Sequence, residues 1–346
     1  MHSNIIDVAK KAGVSIATVS RVINESDKVK PETRKKVQAV IDELKYTPNP
    51  AARGLIMRRT EAIGLLLPDL HGEFFSEVIR GADEAVQAKG YHLIVSSSHN
   101  DSKEIEAALR FMRGRVDGII VMSPQVNSDI LLANLPKSVP VVLLNCRISN
   151  PHYDTIMTDG FGGAKEMTNY LLELGHTQIA VITGGENNIE SQERLRGFHS
   201  ALTEHNVTPD RALEFRGSFT EESGYEAARE ILRLNSRPTA IFAFNDSMAI
   251  GAIKAIREEG LKIPDDVSVC GFDDIPVAKY LSPSLTSVAV PIHDLGVMAV
   301  NRVFDRLHKK TKGAAAHMFV STTLSIRSSC KKINIMLNQG KEEQVA

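Results

Sequence analysis

The sequence predicts an α/β protein with a small helical head at its N-terminus, followed by two lobes that are each built on a doubly wound parallel sheet. From residue 62 onward, apolar runs of strand length alternate with amphipathic helical segments, which is typical of parallel sheets covered by helices on both faces. These runs are too numerous for one ordinary sheet, so we expect two. Before residue 61, short segments show helical spacing instead.

The larger part of the chain shows clear strand-like runs, and several helical segments between them end at a glycine. Glycine adopts the left-handed conformation that ends many helices, and Gly90, Gly175 and Gly260 are the clearest examples. The apolar runs are AIGLLLP, HLIVSSS, GIIVM, PVVLLN, QIAVITG, TAIFAFN and VSVCGF. Ligands of such sheets bind beyond the carboxyl ends of the strands, so residues that follow these runs are candidates for a binding site.

The head contains a helix, a tight turn and a second helix with one polar face. Gly13 breaks the first helix, and Ser15 is a suitable N-cap for the second. Pro31 favours the first turn of a third helix. Small and polar residues share a face of the second helix, with an arginine one turn later, as a helix that enters the major groove of DNA requires. The candidate DNA-contacting residues here are Ser15, Ile16, Ala17, Thr18, Ser20, Arg21 and Asn24.

Positive charge is concentrated in this head, although the whole chain is nearly neutral. Residues 1–60 contain twelve Lys and Arg and six Asp and Glu, a net charge of +6. The remainder carries 29 basic and 36 acidic residues, a net charge of −7. A basic head is attracted to phosphates by counterion release, while an acidic body avoids non-specific adhesion. The charge distribution therefore supports double-stranded DNA as a partner.

Composition and motifs argue against several other classes of protein. The chain of 346 residues is 42% hydrophobic and 24% charged, as in soluble globular proteins, and no apolar run approaches the roughly 20 residues that span a bilayer. We see no secretory signal, and the three cysteines are scattered, so we expect reduced thiols in the cytoplasm and no metal site. Phosphate-binding, metalloprotease and nucleophile-elbow motifs do not occur, so we expect neither an enzyme nor a cofactor.

Several stretches, from the head to the last apolar strand, match one known family. They are DVAKKAGVSIATVSRVIN, KVKPETRKKVQAVIDELKYTPNPAARGL, AIGLLLPD, KGYHLIVSSS, RVDGIIVM, LLELGHTQIAVITG, ERLRGF, RPTAIFAFNDSMAIGA, IPDDVSVCGFDD and SPSLTSVAVP. In these stretches the chain resembles the lactose-repressor/galactose-repressor family of bacterial transcription regulators, over residues 4 to about 328. The resemblance implies a repressor that binds a pseudo-palindromic operator as a homodimer.

The resemblance also implies a domain organisation, with lobes like those of periplasmic sugar-binding proteins. The expected domains are a helix-turn-helix head at 1–48, a hinge helix or linker at 49–60, two lobes at 61–328 (lobe 1 about 61–160 and 291–321, lobe 2 about 161–290 and 322–328) and a poorly ordered tail at 329–346. In relatives the hinge folds on DNA and inserts a leucine, here Leu55, into the minor groove. The hinge residues expected to contact DNA are Asn49, Ala52, Arg53 and Leu55.

A cleft between the lobes is the expected site of a small effector. Strand ends supply the candidates His71, Phe74, Phe75, Asn145, Arg147, Phe219, Asn245 and Asp273. The resemblance adds Asn188, Glu190 and Arg194. Asp246 precedes a helical segment, and we expect it to be a helix cap.

The chemistry of these candidates favours a sugar or a sugar derivative as the effector. A planar guanidinium with carboxylate and amide groups suits vicinal hydroxyls, and phenylalanine faces suit the apolar surface of a sugar ring. Within the family, a nucleobase co-repressor or a phosphoprotein partner is the alternative. A transport solute-binding protein would share the two lobes, but it would carry an export signal and no basic head.

Overall fold

The computed structural model describes residues 4–23, 28–46, 59–126, 128–146, 148, 150, 152–308 and 314–333. The chain divides into two compact units, Met1–Glu61 and Ala62–Ala346. The predicted fold class is confirmed, because a helix-turn-helix unit precedes two α/β lobes with mainly parallel sheets. In the described part of the chain, no helix is long and apolar enough to span a bilayer.

The head is a bundle of three short helices around an aliphatic core. Its helices are α1 (Ile5–Ala12), α2 (Ile16–Ile23) and α3 (Pro31–Glu43). Val8, Val19 and Val37, one from each helix, are fully buried against one another in this core. The side chain of Asn4 caps α1, and Gly13 ends that helix with a φ of 64°. The main-chain N–H of Thr18 donates to Ser15 Oγ at 3.2 Å, so Ser15 caps α2 as predicted.

The first lobe is a six-stranded parallel sheet with helices on both faces. Its strands are β1 (Ala62–Leu67), β2 (His92–Ser97), β3 (Gly118–Met122), β4 (Val141–Leu144), β5 (Asp154–Thr158) and β11 (His317–Val320). The strand order is β11-β5-β4-β3-β1-β2. Its helices are α4 (Glu73–Gln87), α5 (Ser102–Met112), α6 (Ser128–Asn134) and α11 (Ile292–Leu307). Every residue of β1 and β3 is buried, as expected for strands covered on both faces.

The second lobe repeats this design with a different strand order at one edge. Its strands are β6 (Ile179–Thr183), β7 (Glu214–Arg216), β8 (Ala240–Ala243), β9 (Ser268–Asp273), β10 (Thr286–Ala289) and β12 (Thr323–Ser325). Its helices are α7 (Gly160–Glu173), α8 (Ile189–Glu204), α9 (Glu221–Leu232) and α10 (Asp246–Glu258). The order is β12-β10-β9-β8-β6-β7, and β12 alone runs antiparallel to its neighbour in these described strands.

The chain passes between the two sheets after β5, after β10 and between β11 and β12. Both sheets therefore contain strands from distant parts of the sequence, and the carboxyl ends of their parallel strands border the space between the lobes. Gly90, Gly175 and Gly260 have φ values of 74°, 93° and 73°, which confirms the left-handed helix ends read from the sequence.

The C-terminal segment differs from expectation, because residues 329–333 are not a poorly ordered tail. Ser329 is fully buried, and its carbonyl accepts a hydrogen bond from the N–H of Val269 at 2.9 Å. The N–H of Ile333 donates to the carbonyl of Leu174 at 2.9 Å. Hydropathy did not reveal this order because hydrogen bonds contribute much of the attachment of the segment to the second lobe. The rest of the expected tail, 334–346, lies outside the described residues.

A buried ion cluster joins β5 to α11 in the first lobe. Asp154 is 1% exposed, and its carboxylate accepts hydrogen bonds from Arg302, Arg306 and the N–H of Ala316 at 2.7–2.9 Å. Burial alone would raise the pKa of Asp154, but the hydrogen bonds from Arg306, Arg302 and Ala316 outweigh it and lower the pKa from 3.8 to about 2.

We predict that Asp154→Asn destabilises the protein by about 3–5 kcal/mol, because it leaves two partly buried guanidinium groups without their counter-charge. The carboxylate stabilises the fold above its unfolded pKa, and this contribution is lost as pH falls toward the folded pKa of about 2. Urea denaturation should therefore show wild-type stability falling below about pH 4, with the variant less sensitive to pH there.

Glu204→Gln is the matched control for this prediction. Glu204 pairs with Lys165 at 2.7 Å, but its side chain is 52% exposed, so solvent screens the pair. We expect little change in stability. Equal effects of the two substitutions would contradict the importance assigned to the buried cluster.

Candidate functional site

The larger unit contains a cavity between its two lobes, at the carboxyl ends of both sets of strands. Its volume is ≈ 170 Å³. The first lobe contributes loops after β1, β2, β3 and β4, and the second lobe contributes the starts of α8, α9 and α10 and the end of β9. This is the place where doubly wound sheets bind ligands.

The structure brings together most of the residues that the sequence singled out for an effector site. Ten of them line this one cavity, namely His71, Phe74, Phe75, Asn145, Asn188, Glu190, Arg194, Phe219, Asn245 and Asp273. Arg147, the remaining candidate, lies outside the described residues. Both lobes supply an aromatic wall, since Phe74 and Phe75 follow β1 and Phe219 precedes α9.

A buried arginine is the main polar feature of the cavity. Arg194, on α8, is 4% exposed, and its Nη2 lies 3.1 Å from Asp273 Oδ1 and 3.5 Å from Glu190 Oε2. Its Nη1 donates to the carbonyl of Phe244, and its guanidinium carbon lies 3.7 Å from the centre of the Phe272 ring. Among the described residues, Arg194 Nε has no hydrogen-bond partner. A buried donor without an acceptor is costly, so this site favours a ligand that accepts a hydrogen bond.

The two carboxylates beside Arg194 are held in an environment that disfavours negative charge. Burial raises the pKa of Glu190, and the nearby Arg194 and the hydroxyl of Thr158 only partly oppose this effect. Burial also raises the pKa of Asp273, to about 6, with Arg194 opposing and Glu190 adding to the shift. The ionised form of each group can accept hydrogen bonds from a ligand.

Hydrogen bonds between the lobes surround the cavity. The Thr158 hydroxyl, at the end of β5, donates to Glu190 Oε2 at 2.8 Å. The N–H of Ile189 donates to the carbonyl of Pro124 at 3.0 Å, and the N–H of Val277 donates to Glu73 Oε2 at 2.9 Å. Because Glu190 and Glu73 also line the cavity, residues that hold the lobes together are the same residues that a ligand would contact.

Asn245 sets the shape of the second-lobe wall. Its Oδ1 accepts from the N–H of Met248, which caps α10, and its Nδ2 donates to the carbonyl of Phe219 at 3.0 Å. Phe219 has a φ of 66°, and its ring lies over Gly184, where an added Cβ would stand 2.1 Å from the ring. Glycine at 184 is therefore required for the phenylalanine to take this position.

The expectation that Asp246 caps a helix is wrong. Asn245 is the cap of α10, and Asp246 is the first helical residue and fully buried. Its carboxylate accepts from the Ser287 hydroxyl at 2.6 Å and from the N–H of Ile275 at 2.8 Å. Burial and the neighbouring Asp273 raise its pKa well above the usual range. Asp246 therefore fastens the start of α10 to β10 and to the loop after β9.

Several residues that line the cavity were not among the predicted site residues. Asn100 and Gln125 follow β2 and β3, and the strand-end rule could have found them. Ser218 and Thr220 flank Phe219 and could have been found from that neighbour. Glu221 and Ser247 carried no such signal, because they lie within the first turns of helices.

In the head, α2 presents an exposed polar face as predicted. Ser15, Ile16, Ala17 and Arg21 are exposed, and Thr18 and Ser20 are partly exposed. Ile16 is 47% exposed, so it is a surface residue and not part of the head's core. The other predicted DNA contacts lie outside the described residues, namely Asn24, Asn49, Ala52, Arg53 and Leu55.

Each of the two units of the chain matches a known protein family model. A family model described as "Bacterial regulatory proteins, lacI family" matches residues 4–49. A model described as "Periplasmic binding protein-like domain" matches residues 168–330.

Among the described residues, no group of three or more His, Cys, Asp and Glu side chains is arranged to hold a metal ion.

Relatives extend this similarity over nearly the whole chain. The HTH-type transcriptional repressor PurR of Pasteurella multocida is 37% identical over 334 residues, which are 95% of this chain and 99% of the relative. The solved lac repressor dimer bound to operator and the anti-inducer ONPF is 28% identical, with a TM-score of 0.86, covering 96% of this chain and 100% of the other. A LacI family transcriptional regulator from Enterococcus faecium, solved with bound ribose, is 30% identical, with a TM-score of 0.72, covering 79% and 100%.

These similarities confirm the predicted family and the expectation that the chain is not an enzyme. The basic helix-turn-helix head and the two-lobed body with its cavity fit the same conclusion. The chain belongs to the LacI family of bacterial regulatory proteins, and it is a transcriptional repressor with an effector-binding domain.

Proposed function

We propose that the effector of this repressor is an uncharged sugar of one ring, bound between the two lobes, and that it controls the affinity of a homodimer for a pseudo-palindromic operator. The observation that carries the proposal is the buried guanidinium of Arg194, which lies between the carboxylates of Glu190 and Asp273 in a small cavity with phenylalanine walls.

The size of the cavity supports a small ligand. Its ≈ 170 Å³ is below the ~300–1,000 Å³ that is typical of sites for drug-sized molecules. A monosaccharide or a single base matches this space better than a disaccharide or a nucleotide does.

The charge of the lining supports a neutral ligand. Carboxylates outnumber guanidinium groups among the described lining residues, with Asp69, Glu73, Glu190, Glu221 and Asp273 against Arg194. A phosphate or carboxylate ligand would meet net repulsion here. A sugar hydroxyl both donates and accepts, so neighbouring hydroxyls can bond to the carboxylates and to the unpaired Nε of Arg194. A solved relative with bound ribose supports the same class of ligand.

A nucleobase is the second candidate, and the aromatic walls favour it. Phe75 from the first lobe and Phe219 from the second lobe both line the cavity, and flat rings stack well on a planar base. The polar cluster of Arg194, Glu190 and Asp273 favours the sugar. A hydroxyl can donate to a carboxylate or accept from a guanidinium, whereas each position on the edge of a nucleobase has a fixed role as donor or acceptor.

The proposed DNA-binding apparatus comprises the head at 1–48 and the hinge at 49–60. Two heads of a dimer would read two half-sites of the operator, with α2 in the major groove. The lobes at 61–328 would transmit the state of the cavity to the hinge starts, as a coupling free energy between effector and operator.

Tyr280 is 76% exposed on the second lobe, and a dimer interface would remove this ring from water. Such a repressor acts in the cytoplasm.

Calorimetric titration of the full-length protein tests the effector class. The probes are ribose, glucose, adenine and hypoxanthine, each added to the protein without DNA. We expect saturable heat with a sugar and none with the bases. Binding of a base alone would make the sugar proposal wrong and would support the second candidate.

We predict that Asp273→Ala lowers sugar affinity by about 10- to 100-fold, because a hydrogen bond to a charged group contributes about 1.5–3 kcal/mol. Operator binding without effector should change little, since Glu190 remains paired with Arg194. The matched control is Asp274→Ala, in the next residue. Asp274 pairs with Arg327 at 2.7 Å outside the cavity, so its loss should lower stability but not sugar affinity. The reverse pattern would remove Asp273 from the site.

We predict that Arg21→Ala weakens operator binding by about 1–3 kcal/mol and relaxes the preference at one base pair, because Arg21 is exposed on α2 and can reach a guanine edge. Fluorescence anisotropy with an operator selected from a random-sequence pool, and with its single-base variants, measures both effects. Lys35→Ala is the control, since Lys35 is exposed on α3 and carries the same charge. Its removal should not alter base preference. An Arg21→Ala loss that is equal on all sequences would assign Arg21 to phosphate.

A further inference from the structure

Two of the three cysteines meet in the second lobe, although they are far apart in the sequence. Cys270 lies in β9 and is fully buried, and Cys330 follows β12 and is partly exposed. The N–H of Val269 donates to the carbonyl of Ser329 at 2.9 Å, which places the segment that carries Cys330 against β9. Cys330 Sγ also lies 3.3 Å from the carbonyl oxygen of Val269, the residue before Cys270. The scattered cysteines predicted reduced thiols, and no local pattern indicated this contact.

The C-terminal segment is fixed on both sides of Cys330. Ser329 Oγ donates to the carbonyl of Val269 at 2.5 Å and accepts from the N–H of Thr286 at 2.8 Å. The N–H of Lys331 donates to Ser268 Oγ at 3.2 Å, and the carbonyl of Lys331 is bonded to His176 Nε2 at 3.0 Å. The fold therefore holds the two cysteines on adjacent segments of the chain.

The two thiols differ in reactivity in a way that suits a sequential reaction. The hydrogen bond from Cys270, followed by those from Ser329 and Thr286, lowers the pKa of Cys330 in spite of its burial. Burial raises the pKa of Cys270 well above the usual range. Cys330 is thus the nucleophile that a small oxidant meets first, and Cys270 is the thiol placed to resolve the product.

The third cysteine lacks these features. Cys146 is 2% exposed, and burial raises its pKa to about 12. Its sulfur contacts backbone groups of Ser123, Val121 and Leu144. Cys146 is therefore an internal control for the reactivity of the pair.

We propose that Cys270 and Cys330 form an oxidant-reactive site that closes to a disulfide in the presence of a peroxide. The Cys330 thiolate attacks one oxygen of hydrogen peroxide, the O–O bond breaks, and a sulfenic acid and one water form after protonation. Cys270 sulfur then attacks the sulfenic sulfur, the S–S bond forms, the S–O bond breaks, and a second water leaves. The two thiols lose two electrons and two protons in total, and the peroxide gains them.

The disulfide would fasten the C-terminal segment to β9. The closed loop contains β10, α11, β11 and β12, and therefore two of the three connections between the lobes. Because a cross-link across a long loop restricts the unfolded chain, the oxidised protein should melt at a higher temperature than the reduced protein. Asp273 ends the same strand that carries Cys270, so the bond lies three residues from the cavity.

Peptide mapping of the full-length protein tests the proposal. Reduced protein is treated with hydrogen peroxide, free thiols are alkylated, and the digest is analysed by mass spectrometry without reduction. We expect a linked peptide that contains Cys270 and Cys330 and has lost two hydrogen atoms, together with a raised melting temperature that dithiothreitol reverses.

Variants provide the controls. Cys146→Ala should still give the linked peptide, whereas Cys330→Ala and Cys270→Ala should not. Two free thiols after treatment, a Cys330 sulfinic acid in place of the link, or any link that includes Cys146 or joins two copies of the chain would overturn the proposal. If a variant fails to fold, the presence or absence of the Cys270–Cys330 peptide in the treated wild-type protein decides whether the proposal stands.

Discussion

The placement of one buried cation, Arg194, governs the organisation of the larger unit. An isolated charge is costly to bury, so the fold must supply partners, and it does so with Glu190 from the same helix and Asp273 from the end of β9. Phe272 covers the flat face of the guanidinium. These groups are fixed, but one nitrogen of the guanidinium has no described partner. These fixed polar groups keep the cavity from closing into a packed core, and one of them can still form a hydrogen bond with a ligand.

The same cluster connects the ligand site to the contact between the lobes. Glu190 accepts the hydroxyl of Thr158 across the boundary and also lines the cavity, so a ligand that bonds to Glu190 changes the balance of an interlobe hydrogen bond. A ligand shifts an equilibrium only through different affinities for two states, and in the proposed mechanism this shared residue would supply such a difference. Glu73, bonded to Val277 across the same boundary, offers a second point of coupling.

Much of this architecture was predictable because the apolar pattern of each segment agrees with its place in the fold. Continuous apolar runs such as AIGLLL indicated buried parallel strands, and the strand-end rule brought Asn145, Asn245 and Asp273 into one cavity without any coordinates. The strands β5, β10, β11 and β12 were missed, since each has at most five residues and a mixed composition. Asn245 caps α10 in place of Asp246, because Asp246 is buried by tertiary contacts that have no local signal in the sequence. The proximity of Cys270 and Cys330 depends on the path of the chain after the last strand, which has no local signal either.

In the proposed mechanism, a ligand in the cavity and the operator at the head influence each other's binding. Reciprocity makes this measurable, because the factor by which operator changes effector affinity must equal the factor by which effector changes operator affinity. The sugar that gives the strongest calorimetric signal should be titrated into full-length protein, first free and then saturated with a selected operator duplex. We predict dissociation constants that differ by about 5- to 150-fold, the usual range of such coupling. Identical constants in the two titrations would contradict it.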